Sequence, residues 1–356
     1  MFSVQSFRGI AHETTDSLMQ AAQNQIRTTP RPNCFLCGAE GSYLYRGLMD
    51  SYSDAPEKWD FKHCPRGCGL LWLDPRPIEQ DLHLAYQQYF THGDRDGKST
   101  AAGKLRTLLY QGYRAVSVIP QLVTGLRKSI IQMEQMFLDD LPRGKLLDVG
   151  CGDGLFLNRM RKLGWTVDGL DVDAKAIENA KNKYGLTLHR GDLRSARFPE
   201  NSFDAVTLSH VIEHVPDPVA LLLEARRIAK PGAHLVLTTP NNASLGHQKF
   251  QAAWLGLDPP RHLQVFSLRA LEQLALRADL YLKVVSVSST AANADIFIGG
   301  SLSIGSANNR RTHFQPPPNL PRLLKAVWDQ YREHFALSAQ PDAGEEAVLI
   351  CAKPRD

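Results

Sequence analysis

No stretch of the 356 residues approaches the ~18 consecutive apolar positions that a membrane-spanning helix requires. The opening residues, MFSVQSFRGIAHETTDSLMQ, lack an apolar core followed by a small-residue cleavage site, so no secretory leader is expected and the default compartment is cytoplasmic. Net charge is also scarce: 41 Lys and Arg against 37 Asp and Glu leave +4 at pH 7. That gives no basic surface on the scale nucleic acid demands. What is present is ordinary for a globular chain, 43% hydrophobic and 22% charged, and long enough for one large domain plus a smaller one.

Cysteine is rare as well. Of six, four fall in the first fifth of the chain as Cys34-x-x-Cys37 and Cys64-x-x-x-Cys68, while Cys151 and Cys351 stand apart. Disulfides are disfavoured in a reducing compartment, and each pair, with a glycine just after it (Gly38, Gly69), can wrap one edge of a tetrahedral ion. Four thiolates at ~2.3 Å satisfy Zn²⁺ and leave no open position, so the expected site is structural. Four reduced thiols in a small core are the bland alternative. The expected organisation is a poorly ordered N-terminus over 1–30, a zinc-knuckle domain over 31–90, a linker over 91–104 and a large domain over 105–356. Tyr86, Tyr89 and Phe90 sit on a short amphipathic helix and read as core rather than as a ligand cage.

The large domain is organised around Leu146–Asp173, LLDVGCGDGLFLNRMRKLGWTVDGLDVD. An apolar run ends at Asp148 and Val149, glycines follow at 150, 152 and 154, LFLNRMRKL has helical spacing, and TVDGLDVD reads as a second strand ending at Asp171. Strand, glycine loop, helix, strand is the first half of a nucleotide-binding βαβ unit. Glycines there let backbone approach a ligand and permit positive φ. Asp171, 23 positions after Asp148, stands where ribose hydroxyls need acceptors. Charge separates the two cofactors that fit: a dinucleotide brings a pyrophosphate to the helix N-terminus, which Asp148 and Asp153 would repel, whereas a phosphate-free sulfonium suits them. The spacing G-x-G-x-G also departs from the dinucleotide pattern.

LLDVGCGDG followed by GLDVD resembles the class I S-adenosylmethionine-dependent methyltransferases. The βα alternation over 145–240 argues a parallel sheet with helices on both faces, and the resemblance implies a doubly wound α/β fold with a mostly parallel, seven-stranded, Rossmann-like sheet. It implies S-adenosylmethionine as cofactor, with Asp148, Gly150, Gly152, Gly154 and Asp171 around it, Asp192 near the adenine amino group, and Ser209 at the end of the fourth strand. Asp192 as a helix cap is the alternative.

His210 and His214 follow that strand at once and are the nearest candidates for a general base. HVIEHVPDP resembles a segment of small-molecule O-methyltransferases, quinone-biosynthesis members included, in which E-x-x-E-H is a candidate divalent-cation site. Here His210 replaces the first glutamate, so His210, Glu213 and His214 are a candidate metal trio, set against a lone histidine and a capping glutamate. A second patch, WLGLDPPRHLQVFS over 254–267, offers Trp254 and Arg261 for substrate and His262 as a third candidate catalytic group. An arginine there suits a carboxylate or phosphate, unless Asp258, Pro259 and Pro260 form a turn with which Arg261 pairs. PRHL followed by FS resembles a subgroup of bacterial class I methyltransferases that carry an N-terminal cysteine knuckle. Residues 290–345 read as a long irregular insertion with one helix, LLKAVWDQYREHF.

The expected activity is methyl transfer to a small-molecule acceptor, chiefly to oxygen on a sugar, lipid-linked or phenolic metabolite. Transfer to carbon, a non-catalytic scaffold and an NAD-dependent dehydrogenase are the alternatives. No nucleic-acid partner is expected, since the Asn-Pro-Pro-Tyr type signature of base methylation is absent after the fourth strand. A homo-oligomer is left open.

Overall fold

The computed structural model describes residues 25–51, 57–86, 121–278, 283–306 and 320–354. The expected linker, Tyr89 and Phe90 lie outside them. In chain order the strands are β1 (Thr28–Thr29), β2 (Ser42–Met49), β3 (Lys58–His63), β4 (Leu71–Leu73), β5 (Arg76–Pro77), β6 (Lys145–Val149), β7 (Thr166–Asp171), β8 (His189–Arg190), β9 (Phe203–Ser209), β10 (Ala229–Pro240), β11 (Gln264–Val265), β12 (Lys283–Thr290) and β13 (Glu346–Ala352).

Seven of these form one sheet in the order β12-β13-β10-β9-β6-β7-β8. All its pairings are parallel except the two that β13 makes, with β10 and β12. This is the expected doubly wound, mostly parallel sheet. The burial of β6 and β9 on both faces follows from helices covering both sides. Helix boundaries follow local chemistry: Asp173 accepts from Lys175 N to start Ala174–Tyr184, and Gly185 ends it in the left-handed region. Asp217 accepts from Ala220 N ahead of Pro218, the first residue of Pro218–Ile228. Strand order reverses beside β6, so the crevice of such a sheet opens at the carboxyl ends of β6, β7 and β9.

The N-terminal module is built into this unit rather than set apart from it. β11 pairs antiparallel with β4 and completes a second sheet, β11-β4-β3-β2. One side of the module, with Cys34, Cys68, Leu70 and Trp72, shares a core with Phe266, Leu271 and Leu235. The other, with Trp59, Phe61 and Leu73, packs with Trp254, Leu263 and Phe297. Gly69 is needed at the seam: its φ is +79°, and a Cβ there would fall 1.9 Å from Ser267 Oγ.

Two expectations need correction. Residues 25–30 belong to the fold, because Thr28–Thr29 pairs with β5 and the Arg27 guanidinium reaches both oxygens of Asp81 at 2.8 Å. The insertion carries two helices, Ala294–Ser306 as well as Leu320–Ala336. Three glycines and three serines hid the first; packing decides it, since a Cβ on Gly300 would sit 2.6 Å from Leu255 Cδ2.

Leu70 is fully buried in the core that joins the module to the sheet. Leu70→Ala is therefore expected to lower stability by about 2–5 kcal/mol while urea unfolding stays a single transition by tryptophan fluorescence and circular dichroism.

Candidate active site

The loop after β6 holds positive φ at Gly150, Gly152 and Gly154, and the last of these starts the helix Leu155–Lys162. Asp171 pins it from the end of β7: one carboxylate oxygen accepts from Gly152 N at 2.8 Å and the other from Asp173 N at 2.9 Å. Each oxygen keeps acceptor capacity for a hydroxyl. Asp148 is buried and accepts from Thr207 Oγ1 at 2.7 Å. Burial first, and the nearby Asp171 charge, raise its carboxyl to about 7 against the pull of Thr207. Asp153 differs from the expectation: Lys183 Nζ donates to it at 3.2 Å and Leu155 N at 3.3 Å, so its charge is compensated locally. Asp192 is exposed and accepts from Ser195 N at 2.7 Å, closing a turn rather than capping a helix; Ser209 Oγ lies 3.2 Å from Thr238 Oγ1.

Beyond β9 the chain turns through His210, whose φ is +53°. Its ring lies between two fully buried carboxylates, Nδ1 3.2 Å from Glu213 Oε1 and Nε2 2.7 Å from Glu346 Oε1. Burial alone would lower its pKa; the two carboxylates outweigh that and raise it to about 10. Two carboxylate partners favour an imidazolium that donates from both nitrogens, which argues against the expected role as base. Glu213 is held at about 2, the hydrogen bond from His210 overcoming the effect of burial, and it also accepts from Thr239 Oγ1 at 3.1 Å.

His214 is the opposite case. Burial, then the neighbouring His262, lower it to about 4, so it is neutral at pH 7. Its Nδ1 lies 2.9 Å from Tyr86 Oη and 3.1 Å from the Arg261 carbonyl. His262 packs edge-on against it at 4.7 Å and directs Nδ1 to the Gly256 carbonyl at 2.8 Å. Ligand atoms of Glu213, His214 and His262 come within 4.8 Å of one another, so the trio able to accept a cation includes His262 rather than the expected His210.

Arg261 and Trp254 are not placed for substrate. Arg261 is 1% exposed; its NH1 and NH2 reach Asp50 at 3.0 and 2.6 Å, its Nε and NH2 reach Asp258 at 3.0 and 2.7 Å, and NH1 also donates to the Ala85 carbonyl at 3.1 Å. Trp254 is 1% exposed, donates to Glu345 at 2.8 Å and stacks with Phe297. Tyr86, read from sequence as core, is the site residue that reasoning missed.

The four N-terminal cysteines do converge. Cys34 and Cys68 sulfurs are 3.5 Å apart, those of Cys37 and Cys64 3.3 Å, and all four lie within 4.8 Å of one another. These spacings are too long for disulfides and near the roughly 3.8 Å edge of a tetrahedron built on ~2.3 Å bonds.

A family profile described as a methyltransferase domain matches residues 127–285. Those residues, somewhat under half of the chain, are similar to such a domain. Within it lie the glycine loop, Asp148, Asp171, His210, His214 and Arg261; the four clustered N-terminal cysteines, Tyr86 and Glu346 lie outside. The chain is 38% identical over 109 residues to a ubiquinone biosynthesis O-methyltransferase of Xanthomonas oryzae pv. oryzae, covering 29% of this chain and 45% of that protein. It is 36% identical over 115 residues to the same-named protein of Hahella chejuensis, covering 30% and 48%. The chain thus spans about half the length of the curated relatives it matches. Among solved structures, a protein of Thermotoga maritima titled as an S-adenosylmethionine-dependent methyltransferase, possible histamine N-methyltransferase, aligns at TM-score 0.42 and 16% identity over 70% of this chain and 97% of that one.

At the end of β9 the ring of His210 bridges β9 and β13. Its folded pKa lies above the ordinary 6.5, so the bridge contributes fully below about pH 6.5 and is lost as pH rises through about 10. The thermal midpoint should therefore fall between pH 7 and 10 more steeply in the natural protein than in His210→Gln. Parallel curves would remove this role.

Proposed function

We propose that the chain transfers a methyl group from S-adenosylmethionine to an oxygen of a small molecule. The observation that carries this is the pair of acids at the carboxyl ends of β6 and β7: Asp148 and Asp171 face the glycine bend, and among the described residues no basic side chain is paired with either. A sulfonium and an α-amino group suit that wall, whereas a diphosphate would meet charge of its own sign. The residues therefore fit the cofactor: the Gly150–Gly154 bend would cradle it, Asp171 would take ribose hydroxyls, and Asp192 at the next strand end would meet the adenine amino group. When bound, S-adenosylmethionine supplies an activated methyl; the protein supplies orientation and a proton acceptor.

His214 is the base in this reading, because it is neutral at pH 7 and its Nδ1 already faces a carbonyl. Loss of a proton from the acceptor hydroxyl to Nε2 would leave an oxygen nucleophile, and the proton would return to water. His210, Glu213 and Glu346 fix the β9–β13 end of the cleft around it. The relatives' names, ubiquinone biosynthesis O-methyltransferase, support an oxygen acceptor on a small molecule. Cys34, Cys37, Cys64 and Cys68 would hold a structural zinc with no open position. Transfer to carbon remains the alternative that the same base would serve.

Two measurements test the reading. An extract given the protein and labelled donor should yield a metabolite heavier by the ~14 Da of a CH₂. Asp171→Ala should weaken donor binding by more than about 0.5 kcal/mol in calorimetry. Stabilisation in a thermal-shift assay by NAD, and not by S-adenosylhomocysteine, would replace this reading with a dehydrogenase.

A further inference from the structure

We propose that the helix Leu320–Ala336 lays one face on an anionic lipid surface, Trp328 and Phe335 entering the headgroup layer while Lys325 and Arg332 meet lipid phosphates. This surface stands independently of the proposed methyl transfer.

The helix turns polar side chains to the protein and aromatic ones to water. Asp329, Gln330 and Glu333 are buried, whereas Trp328 and Phe335 are 66% and 58% exposed. The chain's four other tryptophans, Trp59, Trp72, Trp165 and Trp254, are all buried, so the outward indole is an exception within this protein. Nor is it a lone apolar residue of the kind any surface carries. Lys325, Trp328, Arg332 and Phe335 follow one another at steps of three, four and three, and at about 100° per residue they fall within about 80° of one another. They form one exposed stripe, with the Lys325 and Arg332 side chains 50% and 69% accessible.

Buried polar contacts fix this rotation. Gln330 Nε2 donates to the Ala292 carbonyl at 2.7 Å, Glu333 Oε1 accepts from Glu345 N at 2.8 Å, and Lys249 Nζ donates to Asp329 Oδ2 at 2.8 Å. Turning the aromatics inward would break all three. At the far end of the stripe His334 Nε2 lies 2.9 Å from the Thr124 carbonyl, and Leu122 and Val123, just before Thr124, are exposed as well. The apolar ground therefore continues beside Phe335.

Charge and shape decide the occupant. The charged members of the stripe are both cations, and the acid next to them, Asp329, is turned inward and shared with Lys249. Aromatic rings interleaved with long cationic side chains suit a boundary between water and hydrocarbon that carries negative charge. A convex line of side chains about 15 Å long seats on a flat layer, whereas a protein partner would need a matching groove. Among the described residues no helix is long and apolar enough to cross a membrane, so the contact is with its surface.

The test is flotation of the full chain with vesicles of phosphatidylcholine, alone or mixed with phosphatidylglycerol, at low and high salt. Binding should favour the mixed vesicles and weaken as salt rises. Tryptophan emission should shift to the blue on binding and be quenched by brominated acyl chains, a signal that Trp328→Gln should remove because the other four indoles are already enclosed. Trp328→Gln should lower partitioning about tenfold and Arg332→Gln several-fold, with circular dichroism and the thermal midpoint showing both variants folded. Absence of binding to the mixed vesicles, or equal binding by folded Trp328→Gln, overturns the proposal and leaves the face to a protein partner. In the lipid-free protein acrylamide should quench Trp328. Shielding of that indole would mean that the face is already covered, by the chain itself if ultracentrifugation finds a monomer and by a second copy if it finds a dimer, and either result also overturns the proposal.

Discussion

The site depends on a carboxylate that the fold keeps away from water. Asp148 lies near the end of the central strand β6, where helices cover both faces of the sheet, and its side chain accepts from Thr207 on the adjacent β9. Burial and the second acid, Asp171, make ionisation expensive enough to raise its pKa to about 7. A crevice built this way favours positive charge. The same two acids also shape the bend, because Asp171 holds both Gly152 N and Asp173 N, so charge and geometry come from one set of contacts.

A second constraint ties the N-terminal module to that crevice. The four clustered cysteines lie in or against a core shared with the large sheet, β4 pairs antiparallel with β11, and Arg261 is enclosed by acids from both parts of the chain. Buried charge pairs of this kind contribute little net stability relative to an apolar replacement, yet breaking one leaves a charge stranded. Their effect here is to fix the relative placement of Asp50, Tyr86 and the segment 254–267 that carries His262. The module thereby reaches His214 through Tyr86 and Arg261 through Asp50.

Much of this was legible in the residues. The alternation of apolar strands with amphipathic helices, the three glycines and the acids at 148 and 171 are local signals, and the sheet places them together as the spacing implies. Asp173, Asp217 and Ser267 cap the helices expected of them for the same reason. What was not legible depends on partners far apart in sequence. Arg261 reads as a substrate clamp until Asp50, 211 residues away, closes on it; only Asp258, three residues before it, hinted at an internal pair. His210 reads as a base until Glu346, 136 residues on, accepts from its ring and favours the protonated form. Trp254 is drawn inward by Glu345, and Tyr86 sits with two other aromatics whose spacing suggested core. The helix Ala294–Ser306 has weak intrinsic propensity and is imposed by close packing on Leu255.

The central claim is that the buried acid at the end of β6 awaits a cation. Calorimetric titration of S-adenosylmethionine into the protein near pH 7, in two buffers with different heats of ionisation, tests it directly. A bound sulfonium favours ionised Asp148 and lowers its pKa, so protons should be released on binding and affinity should rise as pH passes upward through about 7. Binding without proton release, equal in Asp148→Asn, or tighter binding of NAD than of S-adenosylmethionine, would contradict the account.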